Sequence, residues 1–332
     1  MVKTLLLMAV AVAVLATACG GDDATLTIYS GRSEDLVAPL IADFEEASGL
    51  DVEVRYGDSA ELAATILEEG DNSPADVFFA QDPASLGAVA LDGLFSPLSD
   101  SITGHVPAAF SDDNGLWVGV SGRARVVVYD TTKVDPAEFP PTEKGFTDPI
   151  WEGRLAVAPT NGSFLAFVAA KILIDGEAAT LAWLQGIAAN NAPTYPRNSV
   201  IVAAVDDGEV ETGLVNHYYL FRRIAEEGEG VVAANHFLSG GGAGSLVMPA
   251  GVGILDSSAS RESAERFVEF LLGEEAQRYF AEETFEYPLA AGVTPDPDLP
   301  PLTTLNPPPI SLSDLATVLD RATDLVAEAG LL

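Results

Sequence analysis

The feature that most limits how this chain can fold is the alternation of short β-rich runs with helical runs over residues 25–82. "TLTIYSGR" (25–32) reads as a strand ending in a glycine turn. "EDLVAPLIADFEEASG" (34–49) places Leu36, Leu40, Ile41 and Phe44 at helical spacing before Gly49 closes it. "LDVEVRYG" (50–57) is the next strand, "SAELAATILEEG" (59–70) the next helix with Ser59 as its expected N-cap, and "ADVFFAQD" (75–82) the third strand. Units of this kind close as an α/β structure, a mostly parallel sheet with helices on both faces. Ligands of such sheets collect at the carboxyl ends of strands, here 30–33, 80–82, 160–163 and 216–219.

A chain of 332 residues exceeds the usual size of one compact core, so two lobes are expected. "LWVGVSGRARVVVYD" (116–130) is a long β-rich run that reads as a crossing from one lobe to the other, and "GAGSLVMPAGVGIL" (242–255) as the return. Two such crossings form a two-strand hinge with a cleft between the lobes. The expected division is 25–121 with 252–293 as one lobe and 122–251 with 294–332 as the other. A Pro-rich wrap, "PDPDLPPLTTLNPPP" (295–309), leads to a last amphipathic helix over 311–330. The sequence carries no internal repeat of fixed period.

Residues 1–19 read as a secretory signal. Lys3 supplies the positive start, and the apolar run 5–15 is too short to span a bilayer as a stable helix. Ala16, Thr17 and Ala18 lead into Cys19, the single cysteine, and the segment resembles the lipobox of bacterial lipoproteins. That resemblance implies export, lipidation at Cys19 and a short tether (20–24) holding the chain at a membrane surface, although Ala16 stands where the lipobox usually has Leu. With 50 acidic residues against 16 basic ones, a formal charge of -34, nucleic acid is excluded as a partner because its phosphates need clustered Lys and Arg. The acidity itself reads as a solvated surface suited to high salt or as a funnel for cations.

"NHYYLFRR" (216–223) places Tyr218 and Tyr219 side by side between an expected strand, "ETGLV" (211–215), and an expected helix, "YLFRRIAEEGEG" (219–230). Neighbours diverge by ~100° on a helix and oppose each other on a strand, so both phenols can reach one point only at an irregular junction. A phenol is a poor ligand near neutral pH unless a highly charged, oxygen-preferring cation drives its ionisation. The alternative for such a pair is ordinary core packing. His105, His217 and His236 show no metal-ligand spacing, which argues against zinc. "YGDSAEL" (56–62) superficially resembles the start of certain serine esterases, but no histidine follows His236 to act as base for Ser59. Gly-x-Ser-x-Gly, P-loop and dinucleotide fingerprints are all missing, which argues against catalysis.

"TIYSGR", "SPADVFFAQD", "VSGRARVVVYD", "PTNGSFLAF", "YPRNSVIVAAVDDGEVETGLVNHYYLFR" and "SAERFVEFLLGEEAQRYFAEETFEYPL" resemble, in order and spacing, the ferric-ion-binding proteins of bacterial ABC importers. These are type II solute-binding proteins, and the likeness runs from about Thr25 to the last helix. It implies a monomeric, two-lobed receptor that holds Fe³⁺ in the interlobe cleft through the tyrosinates of Tyr218 and Tyr219 and delivers it to an inner-membrane permease. A synergistic anion, carbonate or phosphate, is implied at Asn161, Gly162, Ser163, Asn198 and Asn216, and Arg32 and Arg123 resemble arginines that hold carbonate in some members. For Arg123 and Arg125 a plain surface charge is the alternative. Ser33 stands where some members have a ligand histidine, and Gln81, followed by Asp82, stands at the place of the family's ligand glutamate. Asp82, His217, the anion or water would then complete the sphere. A receptor of the same fold for a small anion or organic solute is the rival reading.

Overall fold

The protein is described from a computed structural model over residues 25–228 and 230–332. The signal, Cys19 and the tether lie outside the described residues. Ten strands are present among the described residues: β1 Leu26–Ser30, β2 Val52–Tyr56, β3 Val77–Ala80, β4 Phe95–Ser96, β5 Val118–Asp130, β6 Leu155–Ala156, β7 Thr212–Asn216, β8 Ala233–His236, β9 Val247–Leu255 and β10 Tyr287–Pro288. The helices are α1 Glu34–Ser48, α2 Ser59–Glu69, α3 Pro83–Leu91, α4 Asp100–Thr103, α5 Gly162–Asp175, α6 Glu177–Ala189, α7 Asn198–Asp206, α8 Tyr218–Glu227, α9 Arg261–Leu272, α10 Glu274–Glu282 and α11 Leu319–Glu328. None is long and apolar enough to cross a membrane among the described residues.

Strand order along the sheet is β2-β1-β3-β9-β5-β7-β6. Pairing is parallel where βαβ units build it (β1 with β2 and β3, β6 with β7) and antiparallel where β5 and β9 enter. The thirteen residues of β5 are all buried, and they pair with β9 through one half and with β7 and β8 through the other. One continuous strand therefore belongs to both lobes of a type II α/β fold. β5 and β9 lie too close for side chains at one point: a Cβ on Gly251 would stand 2.7 Å from the Val118 carbonyl oxygen.

Strand β3 shows how two-sided burial is encoded. Val77 and Phe79 join α1 and α9 through Phe44 and Phe267, while Phe78 and Ala80 face α2 and α3 through Leu62, Ile66 and Leu86. The second lobe repeats the scheme, with Val126, Val128 and Val215 against Ile201, Val202 and Val205 of α7. α1 ends at Gly49, whose φ of 71° is the left-handed cap the sequence calls for.

Two expectations change by local detail. The N-cap of α2 is Asp58, and Ser59 is the first helical residue, its hydroxyl accepting the Gln81 N–H at 2.8 Å. The segment expected as one helix over 311–330 begins instead as a 3₁₀ run, Ser313–Val318, before α11. That run packs on α3 so tightly that a Cβ on Gly87 would stand 2.8 Å from the Ala316 Cβ. Leu325 and Val326 of α11 join the same core as Phe164 and Phe167 of α5, so the C-terminal segment packs on both α3 and α5.

Candidate binding cleft

The carboxyl ends named from the sequence do converge. A cavity of ≈ 860 Å³ is lined from one side by Ser33, Asp35, Asp58, Ser59, Gln81 and Asp82, and from the other by Asn161, Gly162, Ser163, Arg197, Tyr219 and Arg222. α5 and α7 begin at this wall, with Asn161 capping α5 by accepting the Ser163 N–H at 3.1 Å. Free N–H groups at a helix start favour an anion.

Tyr218 and Tyr219 are not in an irregular junction; they form the first turn of α8, directly after His217. Their rings nevertheless stack, with centroids 4.2 Å apart and planes 28° apart, which draws together side chains that the helix alone would splay. Tyr219 lines the cavity, whereas Tyr218 is 1% exposed and lies one layer deeper. Burial, then Tyr219, pushes the Tyr218 phenol well above its ordinary range; Arg123 and Arg32 pull it back.

Beneath the pair lie three guanidiniums, all buried. Arg32 donates from Nη1 and Nη2 to the two oxygens of Glu286, at 3.0 and 2.8 Å. Arg123 sits 3.8 Å from the same carboxylate and donates to the Pro249 carbonyl at 3.3 Å, while its Nε and Nη1 have no hydrogen-bond partner. Burial alone would raise the Glu286 pKa, but Arg32 and Arg123 outweigh it and leave it below the usual range. Arg125 has no carboxylate: it donates to Ser163 Oγ (3.3 Å), Asn216 Oδ1 (3.2 Å) and the Leu214 carbonyl (3.2 Å). Burial, opposed by Tyr219, brings its pKa down to about 9, so it remains cationic at neutral pH.

Several sequence assignments are corrected by this arrangement. Arg123 and Arg125 are buried at 0% and 1% exposure, not surface charges. Arg32 gives Nη1 and Nη2 to Glu286 and leaves only its buried Nε without a partner, and neither it nor Arg123 lines the cavity, so they act on the cleft through charge rather than by touching an anion. His217 is no ligand candidate: Nδ1 accepts the Ala124 N–H at 3.1 Å and Nε2–H donates to the Phe285 carbonyl at 2.8 Å. Burial lowers its pKa to about 4, keeping it neutral. Asn198 and Asn216 are wholly buried behind the wall, Asn198 Nδ2 donating to Ser163 Oγ at 3.0 Å. Asp82 does line the cavity, but it caps α3, its oxygens accepting from Ser85 N and Oγ at 2.9 and 3.0 Å. Burial raises its pKa, against Ser85 and Arg123. Gln81 also lines the wall. Glu286 escaped the sequence reading, because its partner Arg32 lies 254 positions away.

Among the described residues no group of three or more His, Cys, Asp or Glu side chains is placed to hold a metal. The cleft wall offers oxygen donors from the Tyr219 phenol, from Gln81 and Asp82, from the hydroxyls of Ser33, Ser59 and Ser163, and from the carboxylates of Asp35, Asp58, Glu61 and Glu226. Ser59 lines the cavity, but none of His105, His217 and His236 does.

The pattern of the bacterial extracellular solute-binding proteins matches residues 72–309. The major ferric iron-binding protein of Neisseria meningitidis serogroup B is 34% identical over 314 residues, covering 93% of each chain. The Fe(3+)-binding periplasmic protein of Serratia marcescens is 32% identical over 312 residues, 93% of this chain and 91% of that one. Iron-bound HitA from Pseudomonas aeruginosa superposes with a TM-score of 0.87 at 34% identity, over 92% of this chain and 99% of the other. The Trichodesmium IdiA (FutA) complex with iron and citrate gives 0.81 at 30% identity, with 92% and 99% covered. The chain belongs to the bacterial extracellular solute-binding protein family.

Proposed function

We propose that the chain is the exported receptor of an iron(III) importer, capturing Fe³⁺ as cargo between its lobes and passing it to a membrane permease. The observation that carries this reading is the stacked Tyr218–Tyr219 pair, with Tyr219 on the cleft wall and Tyr218 one layer behind it, backed by the buried cations Arg32, Arg123 and Arg125. Guanidiniums near a phenol favour its anion, and Fe³⁺ is a hard, highly charged ion that completes the ionisation and takes oxygen donors. Tyr219 meets the incoming ion first; Tyr218 joins as the ion settles at the edge of the stack. A carbonate or phosphate at the start of α5, held by Asn161, Gly162 and Ser163 with Arg125 behind them, supplies further oxygens. Gln81 and Asp82 reach the ion from the other lobe.

The relatives named above for ferric iron support the same cargo. In this reading the lobes are 25–121 with 252–293 and 122–251 with 294–332, and closure about β5 and β9 is favoured by contacts that both lobes make to the ligand. Lipidation at Cys19 would keep the monomeric receptor beside its permease.

The volume of the cleft, ≈ 860 Å³, also leaves room for a small organic solute or a metal chelate. Equilibrium dialysis against ferric citrate, with iron measured by elemental analysis, separates the readings. One iron per chain, lost when Tyr218→Phe and Tyr219→Phe are combined, is expected. No retained iron in the unaltered chain overturns the proposal.

A further inference from the structure

Asp35 lies in the first turn of α1 and Arg222 lies on α8, one turn beyond Tyr218. Their side chains meet across the cleft, Arg222 Nη2 donating to Asp35 Oδ2 at 2.9 Å, and both line the cavity. Spacing of three and four residues sets Arg222 on the face of α8 that carries the two tyrosines. Arg222 has a second carboxylate within reach, Glu226 of its own helix at 3.8 Å. Glu226 moves with Arg222 whatever the lobes do; Asp35 does not. The neighbouring Arg223 is already committed inside its lobe to Asp206 and Asp207, at 2.6 and 3.1 Å. Around this contact one lip is acidic, with Asp58 and Glu61 beside Asp35; on the other, Arg223 is neutralised by Asp206 and Asp207 and Glu226 also lines the cavity, so Arg222 and Arg197 are the cations that face the acidic lip. In a chain of net charge -34 general repulsion opposes closure, and the Arg222–Asp35 pair acts against it at this edge.

We propose that Arg222 is a latch that trades Asp35, in the closed cleft, for Glu226, in the open one, and thereby sets how fast a bound ligand leaves. The exchange keeps the guanidinium paired in both states, so opening does not strand a charge. Ligand identity plays no part in it, and it stands apart from the iron assignment. The Arg222 and Asp35 side chains are 27% and 64% exposed, so the effect is modest and weakened by salt.

The test uses the full folded chain and the variants Arg222→Gln, Asp35→Asn, the two combined, and Glu226→Gln, each checked for folding by circular dichroism. At about 20 mM NaCl, where screening is weak, X-ray scattering of the metal-free protein should give a larger radius of gyration for Arg222→Gln and Asp35→Asn. Protein loaded from ferric citrate and challenged with excess EDTA should release iron about 2–5-fold faster in each single variant. The double variant should be no faster than either single one, and Glu226→Gln should release more slowly than the unaltered chain. Near 500 mM NaCl, with a screening length of only a few Å, the differences should vanish. Unchanged radius and release in both single variants at low salt, or accelerations that persist at high salt, would overturn the latch. A chain that takes up no iron leaves the scattering comparison to decide the latch alone, while failing the iron assignment separately.

Discussion

Arg32 and Glu286 face each other through two parallel hydrogen bonds with both side chains shut away from water, and they tie the turn after β1 to the strand pair at the hinge. Ser121 Oγ and Thr284 Oγ1 donate to the same carboxylate at 3.1 and 3.0 Å. Removing the acid leaves Arg32 and Arg123 without their countercharge. Glu286→Ala should cost about 3–5 kcal/mol, read as a lower urea midpoint, with Glu286→Gln costing less because it keeps hydrogen-bonding atoms in place.

His217 holds a neutral ring between the Ala124 N–H and the Phe285 carbonyl, with a pKa lowered to about 4 by burial. The folded state thus binds a proton less readily than the unfolded one, whose histidine titrates near 6.5. Its contribution to stability is complete above pH ~6.5 and is lost as pH falls toward 4, amounting to on the order of 3 kcal/mol. Nitrogen NMR of the imidazole at pH 5 should show a neutral ring carrying its single proton on Nε2. A doubly protonated ring in the folded protein at that pH would contradict the assignment.

Gly31 sits where β1 turns toward the cleft, and a Cβ there would stand 2.0 Å from Ser59 Oγ and 2.9 Å from the Ser59 Cα. The second contact is backbone, so α2 itself must move. Gly31→Ala should lower stability by about 1–3 kcal/mol and disturb the bond from Gln81 N to Ser59 Oγ. A thermal unfolding midpoint equal to that of the parent would show that the turn is looser than this packing implies.

Arg125 is the one member of the buried trio with no carboxylate beside it among the described residues, and it stands behind both Tyr219 and Ser163. Its charge is therefore available to whatever anion the cleft holds. Arg125→Met, which keeps volume but removes charge, should weaken ferric iron binding in bicarbonate buffer by about tenfold, the scale of one charge-assisted hydrogen bond. Arg125→Lys should recover part of the loss. A dialysis titration in which the Met variant matches the parent would remove Arg125 from the site.

Much of the fold was legible because it rests on local periodicity. The two-sided burial of "VFFA", the helical spacing of Leu36, Leu40 and Phe44, and the long apolar crossing at 118–130 each announce their environment within a few residues. The cleft wall was legible for the same reason, since strand ends locate Gln81, Asp82, Asn161 and Tyr219. The layer behind that wall was not. Glu286 and Arg32 meet only through the tertiary fold, and although the apolar run at 118–130 marks its stretch as buried, nothing in it shows which partners take up the Arg125 charge. His217 looked like a ligand because it adjoins the tyrosines, yet strand β5 and the turn at Phe285 occupy both of its nitrogens. Single-residue shifts such as Asp58 for Ser59 at a helix start lie within what spacing can resolve.

The central claim is that the two stacked phenols become metal-bound phenolates, and the visible spectrum reads this directly. Adding ferric citrate at neutral pH in the presence of bicarbonate should produce a tyrosinate-to-iron charge-transfer band that weakens in Tyr219→Phe or Tyr218→Phe and disappears when both are changed. A band that survives in the double variant, or a colourless parent protein under saturating iron, would contradict the account.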